Sequence, residues 1–431
     1  MKPRRIAPRF GLGLGLATAL FASATMAGSV NGLQATGETL TVWIMEGTNP
    51  DATPFFEDVT AAFEEQTGAT LDVQFVQWAE AKDRFATAIA GDTLPDVAEL
   101  GTTWTPEYAD AGVLTDLTAR VEETGLGADF VPALVEAGTV DGATYGMPWY
   151  AGVRSIVYRT DVFEAAGITE MPTTWDELVE VGNAIKEAEP DMLPWPIAGD
   201  NQFGVASFIW GAGGEIATQT DGTWESQLTT PEAREGVAFY TGLATEHEFS
   251  TPAASTWNEA DLRDSFTAGE AAMMIAGNWT IGAIVEAAPD LEGSIGAFPI
   301  PGRDGGINPS FLGGSHLGIF NSTDNEDLAW AFVELMTTGD FAGQWGEQSS
   351  FFPGTVSLLE EVQASDDPLV APFAQQMVEG GRVLPVTPLW GVIEGNKTIA
   401  AMMQSILSGD ATVEEATETA AQEMDDVFAG G

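Results

Sequence analysis

Cysteine is absent from this 431-residue chain. The fold therefore has no disulfides, no thiolate metal site and no thiol nucleophile, and the usual acceptor of a bacterial lipid anchor is missing. Histidine occurs only twice, as His247 and His316, too few for a histidine metal cluster, and nothing in the sequence supports a Ser-His-Asp arrangement. Positive charge is scarce as well. Lysine and arginine together number 15 against 65 acidic residues, a formal charge of -50. Phosphate backbones are bound by neutralising them with basic side chains, so nucleic acid is a poor partner, and so is an anionic membrane surface. The Gly-rich stretch "GAGGE" carries no lysine, which excludes a phosphate-cradling loop of the usual kind.

What is present begins with an export signal. Lys2, Arg4, Arg5 and Arg9 precede an apolar stretch over 10–22 that ends in small residues, the pattern of a cleaved leader. Cleavage after Ala24 or Ala27 fits equally, so residues 1–27 are set aside. The alternative, a retained membrane anchor, calls for roughly 20 apolar residues, and this run is shorter. No acidic residue precedes Glu38, so loss of the leader removes four positive charges from -50 and leaves -54. A carboxylate surface of this kind keeps a protein soluble in a salty medium, where long-range repulsion is screened; a cationic ligand is the competing reading.

The chain is 44% hydrophobic, with 23 Phe and 13 Trp, enough for two ordinary domains. "LTVWIM" at 40–45 reads as a buried strand. Pro54 suits a first helical position, and Phe55, Val59 and Phe63 recur at helical spacing until Gly68. "LDVQFVQW" alternates as a strand, a second helical pattern follows, and "DVAEL" at 96–100 is a further strand. After Tyr145 the pattern resumes with "SIVYR" at 155–159 and a helix from 175 that Thr174 and Glu177 would cap reciprocally. Helices are expected at 231–244, 259–267, 327–337 and 413–428, with strands at "GAFPI", "HLGIF" and the apolar run 271–276, which would end on Trp279. Strands alternating with helices predict a mostly parallel, helix-covered α/β sheet, here in two lobes. "MPWYAG", "FLGGSH" and "SSFFPG" read as hinge or cleft-lining loops between lobes, with ordinary turns as the alternative.

Taken in order, "LTVWIMEG", "FFEDVTAAFEEQTGATLDVQFV", "LPDVAELGTTWTPEYADAGVLTDLT", "VDGATYGMPWYAGVRSIVYRTDVF", "PTTWDELVEVGNAIKE", "FTAGEAAMMIAGNW" and "FLGGSHLGIFNSTDNEDLAWAFVELMTT" resemble the extracellular carbohydrate-binding proteins of ATP-driven sugar importers. The resemblance runs from Thr39 to Phe428. It implies an α/β two-lobe clamp of the periplasmic-binding-protein kind with three interlobe crossings, with lobe 1 at 39–149 plus 315–354 and lobe 2 at 151–313 plus 358–431. It also implies a monomer that performs no reaction, uses no cofactor or metal, and delivers sugar to membrane permease subunits.

The resemblance further places Trp279 under a sugar ring. A pyranose has an apolar C–H face that can lie on an indole and a rim of hydroxyls that need polar partners. By the same resemblance Glu46, Trp104 with Tyr108, Tyr150, Arg154, Asn201, Phe203, Trp257, Asn258, Ser315, Phe351 or Phe352, and Trp390 are candidate contacts. Each has a structural alternative: Trp279 as plain core, Glu46 as a carboxylate near helix N–H groups, Arg154 paired with a core carboxylate, His316 beside Ser315 as a buried hydrogen-bonder. "VWIMEG" and "ELGTTWTPEYA" are most similar to actinobacterial binding proteins, among which N,N'-diacetylchitobiose and related oligosaccharide importers are frequent. Two other functions stay open: a sugar sensor read by a receptor, and an extracellular glycoside hydrolase, whose paired carboxylates any cleft in so acidic a chain would contain by chance.

Overall fold

The computed structural model describes residue 35 and residues 37–47, 49–363 and 367–430; the expected leader lies outside them. The recurring strands are β1 (Thr39–Glu46), β2 (Thr70–Gln77), β3 (Val97–Gly101), β4 (Met147–Arg159), β5 (Met273–Gly277), β6 (Ile295–Phe298), β7 (Ser310–Ile319), β8 (Phe352–Pro353) and β9 (Gly381–Arg382). The helices that matter for the site are α1 (Thr53–Thr67), α2 (Trp78–Gly91), α3 (Thr105–Asp110), α4 (Trp175–Ala188), α5 (Gln202–Gly211), α6 (Pro231–Thr245), α7 (Glu259–Thr267), α8 (Asn278–Ala287), α9 (Glu326–Thr337), α10 (Gly339–Ser349), α11 (Pro388–Gly395) and α12 (Val413–Gly430).

Local chemistry sets these elements. In α1, Pro54 stands in the first turn and Phe55, Val59 and Phe63 are buried; Gly68 closes the helix at φ 76° with its N–H on the Glu64 carbonyl, a conformation glycine adopts without penalty. At the start of α4 the Thr174 hydroxyl accepts from Glu177 N at 3.2 Å, but the Glu177 carboxylate accepts from the Thr173 backbone at 2.7 Å. The reciprocal cap expected at Thr174 thus forms one residue early.

One sheet carries all nine strands. Its path is β6-β4-β7-β3-β1-β2, with β5 and β8 also on β4, and β9 on β7. β1 is parallel to β2 and β3 and β9 to β7, but β7 is antiparallel to β3 and β4, and β5, β6 and β8 are antiparallel to β4. The sheet is therefore mixed and not the mostly parallel one expected, because β4 and β7 run back through it between the two ends. The order of partners along these two strands is decisive. The first half of β4 lies against β7 and β8, and its second half, from Arg154, lies against β5 and β6. β7 likewise begins beside β9 and ends beside β3. "MPWYAG" and "FLGGSH", expected as loops, are therefore parts of long strands, the first opening β4 and the second lying within β7. The chain changes sheet partner there without leaving extended conformation, because backbone pairing on both sides satisfies its N–H and C=O groups.

Separate apolar cores flank the two ends of this sheet. One gathers Trp43, Phe85, Leu100 and Tyr108 around β1, β3 and α2. A larger one gathers Phe163, Trp195, Phe208, Trp390 and Phe428 around α4, α5, α6, α11 and α12. A second expectation changes here: β5 stops at Gly277, and Trp279 sits in the first turn of α8.

Gly314 fixes how closely β4 and β7 approach, since a Cβ there would stand 2.0 Å from the Tyr150 carbonyl oxygen and 3.0 Å from Ala151 Cα. Backbone cannot yield as a flexible side chain can. Gly314→Ala is expected to cost about 1–3 kcal/mol, read as a lower urea midpoint, and an unchanged midpoint would contradict this packing.

Candidate functional site

A cavity of about 460 Å³ opens where β4 and β7 change partners. On the wall built by β1, β3 and α2, Glu46 ends β1 and accepts from Gln77 Nε2 at 2.8 Å. Trp78 and Trp104 meet edge to face at 5.2 Å, and both line the cavity half-buried. Lys82 lies over the rings of Trp104 and Tyr108 at 5.1 and 5.3 Å and is ion-paired with Glu107.

The opposite wall belongs to α5, α7, α8 and the second half of β4. Arg154 is held by Glu259 through Nε at 2.5 Å and Nη2 at 2.9 Å. The guanidinium lies over Phe203 at 4.0 Å and over Trp279 at 5.2 Å, and Phe203 stacks on Phe311 at 4.6 Å. Trp279 lines the cavity but is only 6% exposed, with Phe351 stacked on it at 4.7 Å. It can lie so close to β4 because position 152 is glycine: a Cβ there would come within 2.5 Å of the indole. Asn201 begins α5 with its Oδ1 accepting from Phe203 N at 3.1 Å and Gly204 N at 3.3 Å. Its Nδ2 is buried with no partner among the described residues.

Beneath the floor lies Glu99, 1% exposed. Met45 N donates to it at 2.8 Å, the Tyr150 hydroxyl donates to it, and Ser315 Oγ is 2.6 Å away. Burial pushes its carboxyl up to about 7, against the lowering effect of these bonds. Tyr150 and Ser315 line the cavity above it with their hydroxyls turned to this node. Next to Ser315, His316 is fully buried, with Nε2 2.9 Å from the Leu134 carbonyl and Nδ1 2.8 Å from Thr105 Oγ1. Burial lowers its pKa to about 4, so the ring is neutral and fills the structural role that the sequence offered as its alternative.

Ten of the residues singled out from sequence thus share one cavity: Glu46, Trp104, Tyr150, Arg154, Asn201, Phe203, Asn258, Trp279, Ser315 and Phe351. Asn258 reaches it with its side chain already engaged, because Oδ1 accepts from Ala260 N and Asp261 N and Asp261 accepts from Asn258 N in return. Tyr108, Trp257, Phe352 and Trp390 are elsewhere, Tyr108 buried in the core of Trp43 and Phe85. Trp257 packs half-buried against the core beside α7. Phe352 is buried in that same core while Phe351 faces the cavity, as successive extended residues point to opposite faces. Trp390 is 0% exposed inside the larger core; one helical turn later, on the same helix, Glu394 lines the cavity instead.

Sequence reasoning missed Trp78, Lys82, Gln202, Glu394 and Lys397. Glu394 accepts from Thr103 Oγ1 at 2.8 Å, from Trp104 Nε1 at 3.0 Å and from Gln202 Nε2. Burial holds its carboxyl above the ordinary range, opposed by the charge of Lys82 and by these bonds. Only the i, i+4 spacing from Trp390 signals it in the sequence. Among the described residues no group of three or more His, Asp or Glu is placed to hold a metal ion.

A family model described as bacterial extracellular solute-binding protein matches residues 47–340. The chain belongs to that family. This solute-binding protein is 28% identical over 392 residues to the diacetylchitobiose-binding protein DasA of Streptomyces coelicolor, covering 89% of this chain and 88% of that one. It is 26% identical to the maltotriose-binding protein of Pyrococcus abyssi, over 75% of this chain and 70% of the relative. An ABC transporter solute-binding protein of Thermotoga lettingae, solved with α-D-tagatose, matches the fold with a TM-score of 0.82 at 26% identity, covering 91% of this chain and all of that one. The sugar-binding protein MalE of Xanthomonas citri matches with a TM-score of 0.74 at 25% identity, covering 91% and 98%. The fold is thus the two-lobe α/β clamp that the resemblance implied, and these relatives are binding proteins.

Glu99 and His316 give this solute-binding protein two opposed pH dependences. Glu99 keeps its proton up to about 7 when folded but loses it near 4.5 when unfolded, so its contribution to stability is complete below 4.5 and is lost as pH rises through 7. His316 is depressed from 6.5 to about 4; its contribution is complete above 6.5 and is lost as pH falls through 4. In Glu99→Gln the slope that Glu99 contributes is gone while that of His316 stays. Stability relative to the parent chain should therefore rise steadily between pH 4.5 and 7 in urea titrations, and parallel curves would contradict the assignment.

Proposed function

We propose that this protein captures a neutral oligosaccharide in the cavity, releases it unchanged, and delivers it outside the cytoplasm to the permease subunits of an ABC importer, acting as a monomer. The lobes that close on the ligand are assigned as 39–149 with 315–354, and 151–313 with 358–431. The leading observation is the cavity lining itself: half-buried Trp78, Trp104 and Phe203 beside carboxylates and the Asn201 amide nitrogen, which has no partner among the described residues. Aromatic faces suit the C–H face of a pyranose, and the polar groups suit its hydroxyls. The volume lies within the usual range of small-ligand sites.

Charge narrows the ligand class. Lys82, Arg154 and Lys397, the basic residues of the lining, are each ion-paired, to Glu107, Glu259 and Asp200. Among the described residues of the lining no basic group is left unpaired for a uronate, sulfate or phosphate. Glu259 and Glu394 are already bonded by Arg154 and by three neutral donors, which speaks against a glycosidase acid and base. The names of the relatives point to chitobiose-like or malto-oligosaccharide ligands. Export is supported by the family, and no described helix is long and apolar enough to cross a membrane.

A thermal-shift screen over chito-, malto-, cello- and xylo-oligosaccharides tests the proposal, because a ligand bound to the native state raises the melting temperature by mass action. At least one neutral sugar is expected to raise it, and Trp104→Ala should weaken that sugar at least tenfold by calorimetry. A folded protein that responds to none of them would overturn the reading.

A further inference from the structure

Glu394 stands on α11, whose Trp390 and Ile393 are buried in the larger core with α5, α6 and α12. Its carboxylate does not stay on that side. Oε2 accepts from Thr103 Oγ1 at 2.8 Å and from Trp104 Nε1 at 3.0 Å, both on the segment that follows β3, where Trp104 packs on the core of Trp43 and Phe85. Oε1 accepts from Gln202 Nε2 at the first turn of α5. One carboxylate thus joins residues anchored in two separate cores on opposite walls of the cavity.

A carboxylate offers about four acceptor sites, and three are filled by neutral donors. Lys82, whose charge favours the ionised carboxylate, is itself paired with Glu107 and donates to the Gly391 carbonyl at 3.3 Å. Hydrogen bonds to an ionised acceptor are roughly twice as strong as neutral ones, so the three contacts hold most firmly while Glu394 is ionised.

We propose that Glu394 is the positioning residue that couples ligand capture to closure: it draws Thr103 and Trp104 from one wall and Gln202 from the other onto one carboxylate, and its remaining acceptor site takes a ligand hydroxyl. The second half rests on the oligosaccharide reading; the first does not. The arrangement favours a ring with a hydroxyl donor at this point over one bearing an acceptor-only ether there. It also makes Trp104 a reporter, since the indole N–H is free only when the walls part.

Small-angle scattering and tryptophan emission of the ligand-free chain test the first half, with Glu394→Ala and Glu394→Gln as variants and Glu394→Asp as the conservative control. The amide of the glutamine variant keeps the volume but turns a donor toward donors. Both disruptive variants should show a larger radius of gyration and a red-shifted emission, and the aspartate should recover part of each. Unchanged scattering and emission in both would overturn the coupling. For the second half, maltotriose and N,N'-diacetylchitobiose are titrated into each form. Whichever sugar binds the parent chain should bind Glu394→Gln about tenfold or more weakly, and affinity kept within twofold would overturn the ligand contact. Because the scattering arm contains no sugar, a parent chain that binds neither these two nor any other neutral sugar of the screen overturns the oligosaccharide reading and not the coupling.

Discussion

β4 and β7 run side by side through both ends of one sheet, and each wall of the cavity hangs from them. They can approach closely because Gly314 carries no side chain where it faces the Tyr150 carbonyl. Directly beneath, Glu99 gathers Met45 N, the Tyr150 hydroxyl and Ser315 Oγ, so β1, β3, β4 and β7 meet at one buried carboxyl. Removing one partner of such a node leaves a buried polar group unsatisfied, which costs more than the net value of a hydrogen bond. The node fixes the floor, and the floor sets the distance between an indole pair on one side and the Arg154–Phe203–Trp279 group on the other.

The acidity of the chain has two separate expressions. Over the surface, carboxylates far outnumber basic residues and act through solvation and mutual repulsion, which salt screens. Inside the cavity, selected carboxylates have specific partners. Glu259 and Asp200 neutralise the basic residues of the lining, and Glu394 collects neutral donors from both walls. The cavity therefore has polar capacity without a free positive charge, which fits a neutral polyhydroxylated ligand better than an acidic one. Composition alone carries no trace of this division, because it depends on which residues the fold brings within reach.

Much of the architecture was legible because it follows local rules. Helical spacing with a proline start and a glycine stop marks α1; alternation marks β2; the apolar run of β1 marks a buried strand. Boundaries failed where tertiary pairing overrode local signals. Glycine and proline in "MPWYAG" and "FLGGSH" read as loops, yet the glycines serve close strand approach and the space beneath Trp279. The cavity was legible in outline, through Trp104, Arg154, Phe203 and Trp279. Choices that turn on a single residue of register were not: Phe351 rather than Phe352, Glu394 rather than Trp390. Asn258 lines the cavity, as expected, but as a helix cap, since the same side chain serves either role and only the N–H groups in front of it decide.

The proposed function requires a sugar seated between the Trp78–Trp104 wall and the Arg154–Phe203–Trp279 wall, above Tyr150 and Ser315. A crystal structure of the complex with the tightest-binding neutral oligosaccharide tests this most directly. It should show a pyranose face against an aromatic ring of this cavity, with hydroxyls bonded to groups from both walls. A sugar bound at another surface, with the cavity as it stands here, would contradict it.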